Sequence, residues 1–68
     1  MDKAERQELF EQEVHSLGYE VRQYEGRNSY SGPAIIADRE DLQEVIRATS
    51  MRLITDQMGK YNIVIYPA

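Results

Sequence analysis

Ser50-Met51-Arg52-Leu53-Ile54-Thr55-Asp56-Gln57-Met58-Gly59 is the stretch on which the fold turns. It has two readings. In one, the preceding helix runs on to Met58 and Gly59 caps it, which leaves the order α-β-β-α-β. In the other, Met51 to Thr55 is a strand that turns through Asp56-Gln57-Met58-Gly59 into a final strand. Thr49 and Ser50 weaken a helix, because their hydroxyls compete for backbone groups, and Leu53-Ile54-Thr55 favours extended chain. Asp56 and Gly59 suit a hairpin of four or five residues. We take the strand, and with it the order α-β-β-α-β-β.

The next segment, Tyr61-Asn62-Ile63-Val64-Ile65-Tyr66, is β-branched and aromatic, bounded by Gly59 and Pro67. Tyr61, Ile63 and Ile65 fall on one face; Asn62, Val64 and Tyr66 fall on the other. Both faces carry apolar bulk, so this strand calls for cover on both sides.

Upstream, Asp38-Arg39-Glu40-Asp41 opens a second helix, with Asp38 as its cap and acids in the first turn. Leu42, Val45, Ile46 and Thr49 form its apolar stripe. Before it, Tyr30 to Ala37 reads as a strand. Pro33 lacks a ladder donor, so this strand lies at an edge or begins at Pro33. Tyr19 to Tyr24 is its hairpin partner, with Tyr19 and Val21 on one face and Arg22 and Tyr24 on the other. Glu25 to Ser29 is a loop too long for a tight two-residue turn. At the front, Asp2 to Leu17 is a helix. Asp2 caps it, Glu5 completes a capping-box-like pair, and Phe10, Val14 and Leu17 share a stripe. Gly18 suits the left-handed position beyond that helix, and Tyr19 then reaches back to Val14.

The expected architecture is a single α+β domain over residues 1–68. It is a two-layer sandwich, a mostly antiparallel four-stranded sheet with both helices on one face. A chain of 68 residues buries a modest core, and with no cysteine it has neither disulfide nor thiolate metal ligand. Self-association is the remaining source of stability. A net charge of −4 argues against generic binding to nucleic acid or anionic lipid. No apolar run is long enough to cross a membrane, and no signal-peptide pattern precedes the first helix. A cytoplasmic location is the expectation.

No residue pattern points to catalysis, a cofactor or a metal. His15 is the single histidine, and a place near a helix C-terminus with Glu11 one turn back accounts for it. Capping accounts for Asp38, Glu40 and Asp41, whose spacing does not match a calcium loop. Gly59-Lys60 lacks the rest of a phosphate-binding loop, and Ser29 and Ser31 lack a nucleophile elbow. The polar face of the first helix, which includes Glu5, Glu8 and His15, reads as a solvated surface.

What stands out is the sheet face turned away from the helices. It carries Arg22, Tyr24, Arg52, Ile54, Val64 and Tyr66, a mixture that interface cores favour. Two short helices supply one layer of cover and the last strand asks for two. The chain therefore reads as a non-enzymatic protein–protein interaction module of adaptor or inhibitor type, with a second copy of itself as the simplest partner. The alternatives are a loop or the first helix folding across this face, or a small-ligand or single-stranded nucleic-acid-binding module using the arginines and tyrosines. Ile46→Asp and Ile63→Asp are expected to unfold the domain, while Val64→Asp separates an interface from a self-covered face.

Overall fold

The computed structural model describes residues 2–68. The elements are α1 (Lys3–Ser16), β1 (Arg22–Glu25), β2 (Ser31–Asp38), a 3₁₀ turn (Arg39–Asp41), α2 (Leu42–Ala48), β3 (Leu53–Met58) and β4 (Asn62–Pro67). All strand pairs are antiparallel, in the spatial order β1-β2-β4-β3. The α-β-β-α-β-β order and the two-layer α+β architecture are as the sequence predicts.

The ends of α1 follow local chemistry. The Asp2 carboxylate accepts from the Glu5 N–H at 2.8 Å. At the other end Gly18, at φ +94°, donates to His15 O, and the Tyr19 N–H returns to Val14 O. This nested pair of bonds satisfies the last carbonyls and turns the chain back towards the sheet.

The inner face of the sheet meets the helices. Phe10 and Val14 of α1 and Val45 of α2 pack with Ile35, Ala37, Ile63 and Ile65 in one buried cluster, flanked by Leu17, Tyr19, Val21, Leu42, Met51 and Leu53. Alternation along the strands sends the remaining residues outward.

Several boundaries differ from the sequence expectation. Strand β1 begins at Arg22, and Tyr19 to Val21 is a connection whose apolar side chains still pack on the core. The β1–β2 loop closes in a tight turn after all. Asn28 and Ser29 both have positive φ, 56° and 61°, and the Tyr30 N–H donates to Arg27 O. Those are the torsions of a two-residue hairpin turn. Gly26 and Arg27 together oppose the single Tyr30, whose carbonyl accepts from the Gly26 N–H, in the manner of a bulge.

Pro33 is neither at an edge nor first in its strand, for β2 is central. Continuing the β2–β4 register from Ile35↔Ile65 sets Pro33 opposite Pro67. Two residues without an N–H meet where the ladder ends, so neither is asked for a donor.

Strand β3 runs to Met58 rather than stopping at Thr55, and the turn is Gly59 to Tyr61, with Gly59 at φ +69°. Tyr61 therefore leaves the strand and is 70% exposed. Asp38 forms no side-chain cap; its carboxylate accepts from Asn62 Nδ2 at the end of the β2–β4 ladder. The short α2 turns Val45 inward and leaves Ile46 45% exposed, so Ile46 is not a core residue.

Candidate functional site

The outer sheet face divides into two parts. The first is built on Tyr66 of β4, which is fully buried in a cluster that includes no helix residue among those described. Tyr30 stacks on its ring at 4.5 Å between centroids, and Tyr24 lies tilted against it at 5.5 Å. Gly26 passes so near that a Cβ there would lie 2.5 Å from a ring carbon. Aromatic pairs in such offset and tilted arrangements attract beyond simple area burial.

The phenol ends of this cluster are tied down. Tyr66 Oη donates to Asp56 Oδ2 at 3.0 Å and accepts from the Arg27 N–H at 3.0 Å. Tyr24 Oη donates to the same Asp56 oxygen at 3.0 Å. The Arg27 side chain spans from the β1–β2 turn to β3, with Nε 2.7 Å from Asp56 Oδ1 and Nη2 2.8 Å from Thr55 O. Tyr30 Oη donates to Pro33 O at 2.6 Å. Among the described residues no buried side-chain polar atom lacks a partner.

The titration of these groups follows from the contacts. Burial alone raises the Asp56 carboxyl, but hydrogen bonds from Tyr66, Tyr24 and Arg27 outweigh it and hold the pKa below the usual carboxylate value. The bond to Asp56 raises the Tyr24 phenol. Burial, with the nearby Glu11 charge, pushes Tyr30 up to about 12. These contacts favour the neutral phenols of Tyr24 and Tyr30 and the ionised carboxylate of Asp56.

The second part of the face is open. Arg22, Tyr24, Ala34, Ile36, Met58 and Val64 line a depression of about 170 Å³ there. Ile36 is half-buried and Met58 is 43% exposed.

The six residues singled out by sequence therefore do not form one surface. Arg22, Tyr24 and Val64 meet at the open depression. Ile54 and Tyr66 belong to the tyrosine-covered part. Arg52 stands apart at the end of β3, beside Arg6, Leu9 and Met51. Val64 and Tyr66 are 3% and 0% exposed, so they are cover-seeking residues that the chain itself covers, and neither is free to touch a partner. A charge at Val64 would be buried within the monomer and is expected to unfold it. Ile36 and Met58 are the residues that sequence reasoning missed. Period-two alternation from Ala34 and Ile54 reaches both, once β2 is read through Pro33 and β3 is read to Met58.

His15 is exposed at the end of α1, on a groove it shares with Glu11, Tyr19 and Glu20. Among the described residues no three His, Cys, Asp or Glu side chains converge as a metal site, and no helix is long and apolar enough to cross a membrane. Comparison with protein-family models, with curated proteins and with solved structures finds no match to this chain.

Proposed function

We propose that this chain is a non-enzymatic protein–protein interaction module that works through the open part of its outer sheet face, most simply by pairing with a second copy. The observation that carries this reading is the apolar strip of Ile36 and Met58 beside Arg22, over which no element folds among the described residues. A partner that covers it removes apolar surface from water without disturbing the tyrosine cluster next to it. Arg22 on one side and Asp38 on the other frame the strip with both signs of charge, which lets the two ends match across a two-fold contact. An adaptor or inhibitor acting in the cytoplasm fits the acidic balance of the chain.

Nucleic-acid binding is the weaker alternative. Tyr24, Tyr30 and Tyr66 pack on one another and bond through their hydroxyls, so their ring faces are not offered to bases.

Light scattering on a size-exclusion column tests the proposal. The wild-type chain is expected to elute as a dimer at high micromolar concentration. Met58→Asp is expected to elute as a monomer with unchanged circular dichroism. A monomeric wild-type chain overturns the self-pairing.

A further inference from the structure

The open strip of the outer sheet face has a chemistry that pairing alone does not use. Its exposed apolar atoms come from Ile36 and Met58, around the depression of about 170 Å³. Ile36 is a hydrocarbon and inert. Met58 is a thioether, whose sulfur lone pair reacts with peroxides.

The chain has no cysteine and three methionines, so thioethers are the only sulfur groups it offers to an oxidant. They are not equivalent. Met1 lies outside the described residues. Met51 is half-buried and packs against the inner core cluster. Met58 is 43% exposed, at the end of β3 where the chain turns at Gly59. A peroxide reaches its sulfur without any part of the fold opening. Met58 belongs to neither buried cluster, so a change of its polarity leaves the inner core and the tyrosine cluster intact.

We infer that Met58 is an oxidation switch for this surface: a peroxide converts its thioether to the sulfoxide and dissociates the pair, and reduction restores it. The inference rests on the pairing proposed for the strip. The sulfur lone pair attacks one peroxide oxygen, and the S–O bond forms as the O–O bond breaks. The departing hydroxide takes the proton from the transferred oxygen and leaves as water. Sulfur loses two electrons and the peroxide gains them. A dithiol reductase reverses the step, releasing the oxygen as water and closing its own disulfide. The sulfoxide turns a flexible apolar side chain into a polar one. Its oxygen holds water at the place where apolar burial drives the contact. A two-fold contact uses Met58 of both copies, so the effect is exerted twice.

Hydrogen peroxide treatment followed by light scattering on a size-exclusion column tests it, with peptide mass mapping to locate the added oxygen. Met58 is expected to gain one oxygen ahead of Met51. Oxidation at Met58 is expected to raise the dimer dissociation constant at least about tenfold, with unchanged circular dichroism. Methionine sulfoxide reductase with a dithiol is expected to restore the dimer. Met58→Leu keeps apolar bulk without the reactive sulfur, and is expected to pair like the wild type before and after peroxide. Met58→Gln, with a polar end at similar length, is expected to be monomeric where the wild type is paired. An unchanged dissociation constant after full oxidation of Met58 overturns the switch and leaves the pairing standing. Peroxide-driven dissociation of Met58→Leu also overturns it, by placing the effect at another residue. Loss of circular dichroism on oxidation overturns it as well, because dissociation then follows from unfolding. An untreated wild type that is monomeric at every concentration overturns the pairing and the switch together.

Discussion

Gly26 and Tyr66 are 40 positions apart by number, yet the ring of one rests on the backbone of the other. Any side chain at residue 26 must push the ring away or bend the turn. Overpacking of this kind costs about 1–3 kcal/mol. Gly26→Ala is therefore expected to lower the urea midpoint by a corresponding amount, read by tyrosine fluorescence or circular dichroism. Asp56 gives a pH signature at the same place. Its carboxyl titrates below its ordinary value in the folded chain. The stability it contributes is present above the unfolded value near about 4 and is lost as the pH falls through the folded value. Tyr30 acts in the opposite direction, with a folded pKa raised to about 12. Its contribution is present below the unfolded value near about 10 and disappears as the pH rises towards the folded one. Denaturant midpoints measured across pH should fall at both extremes. Asp56→Asn should flatten the acid limb and, because Asp56 also raises the Tyr24 phenol, soften the alkaline limb while leaving the Tyr30 contribution to it.

At the scale of elements, α2 shows how length limits a periodic argument. Its seven residues make about two turns, so it turns only Val45 fully into the core and half-buries Leu42. Ile46, one position on, points away. Ile46→Asp is accordingly expected to change stability by no more than about 1 kcal/mol, as exposed substitutions do. Ile63→Asp, at a site 6% exposed between β2 and α1, is expected to abolish folding. Thermal denaturation of the two variants side by side makes the comparison. The β1–β2 turn shows the opposite case, an element that does more than its length suggests. Consecutive positive-φ residues at Asn28 and Ser29 fold it sharply, and the bulge before them re-aims Arg27 over the sheet.

At the scale of the whole molecule, the sheet has two edges and they are treated differently. The Ala68 N–H donates to Arg52 O, so the even-numbered residues of β3 bond to β4 and the odd-numbered ones turn their backbone groups to the open edge. Thr55 is one of these, and its carbonyl is taken by Arg27 Nη2. A guanidinium from the far side of the sheet thus blocks the middle of an edge that would otherwise invite another strand. Arg27→Ala is expected to increase aggregation on heating, measured by static light scattering, beyond what its loss of stability explains. If aggregation tracks the denaturation midpoint alone, the edge-blocking role fails. Edge β1 is short and its outward residues Gln23 and Glu25 are polar, so it needs no such device.

Local physics in the sequence determined the class of fold. Capping at Asp2, the left-handed glycine at Gly18, the stripe of Phe10 and Val14, and the extended propensity of Leu53 to Thr55 each act over a few residues and are readable one segment at a time. Period-two alternation likewise assigned Ile63 and Ile65 inward and Val64 and Tyr66 outward. Only the tertiary structure decided what covers the outward set. Tyr66 is closed off by Gly26 and Arg27 from the β1–β2 turn and by Asp56 from β3. Those contacts depend on the path of a turn whose torsions side-chain type only weakly dictates, because asparagine and serine adopt left-handed φ without requiring it. The strand order separates Arg52 from Arg22 by placing β1 and β3 at opposite edges, and the path of the turn brings Arg27 beside Lys3 and Arg6. Contacts between residues distant in sequence reward the chain only after the turn has closed, so no single segment carries the information that specifies them.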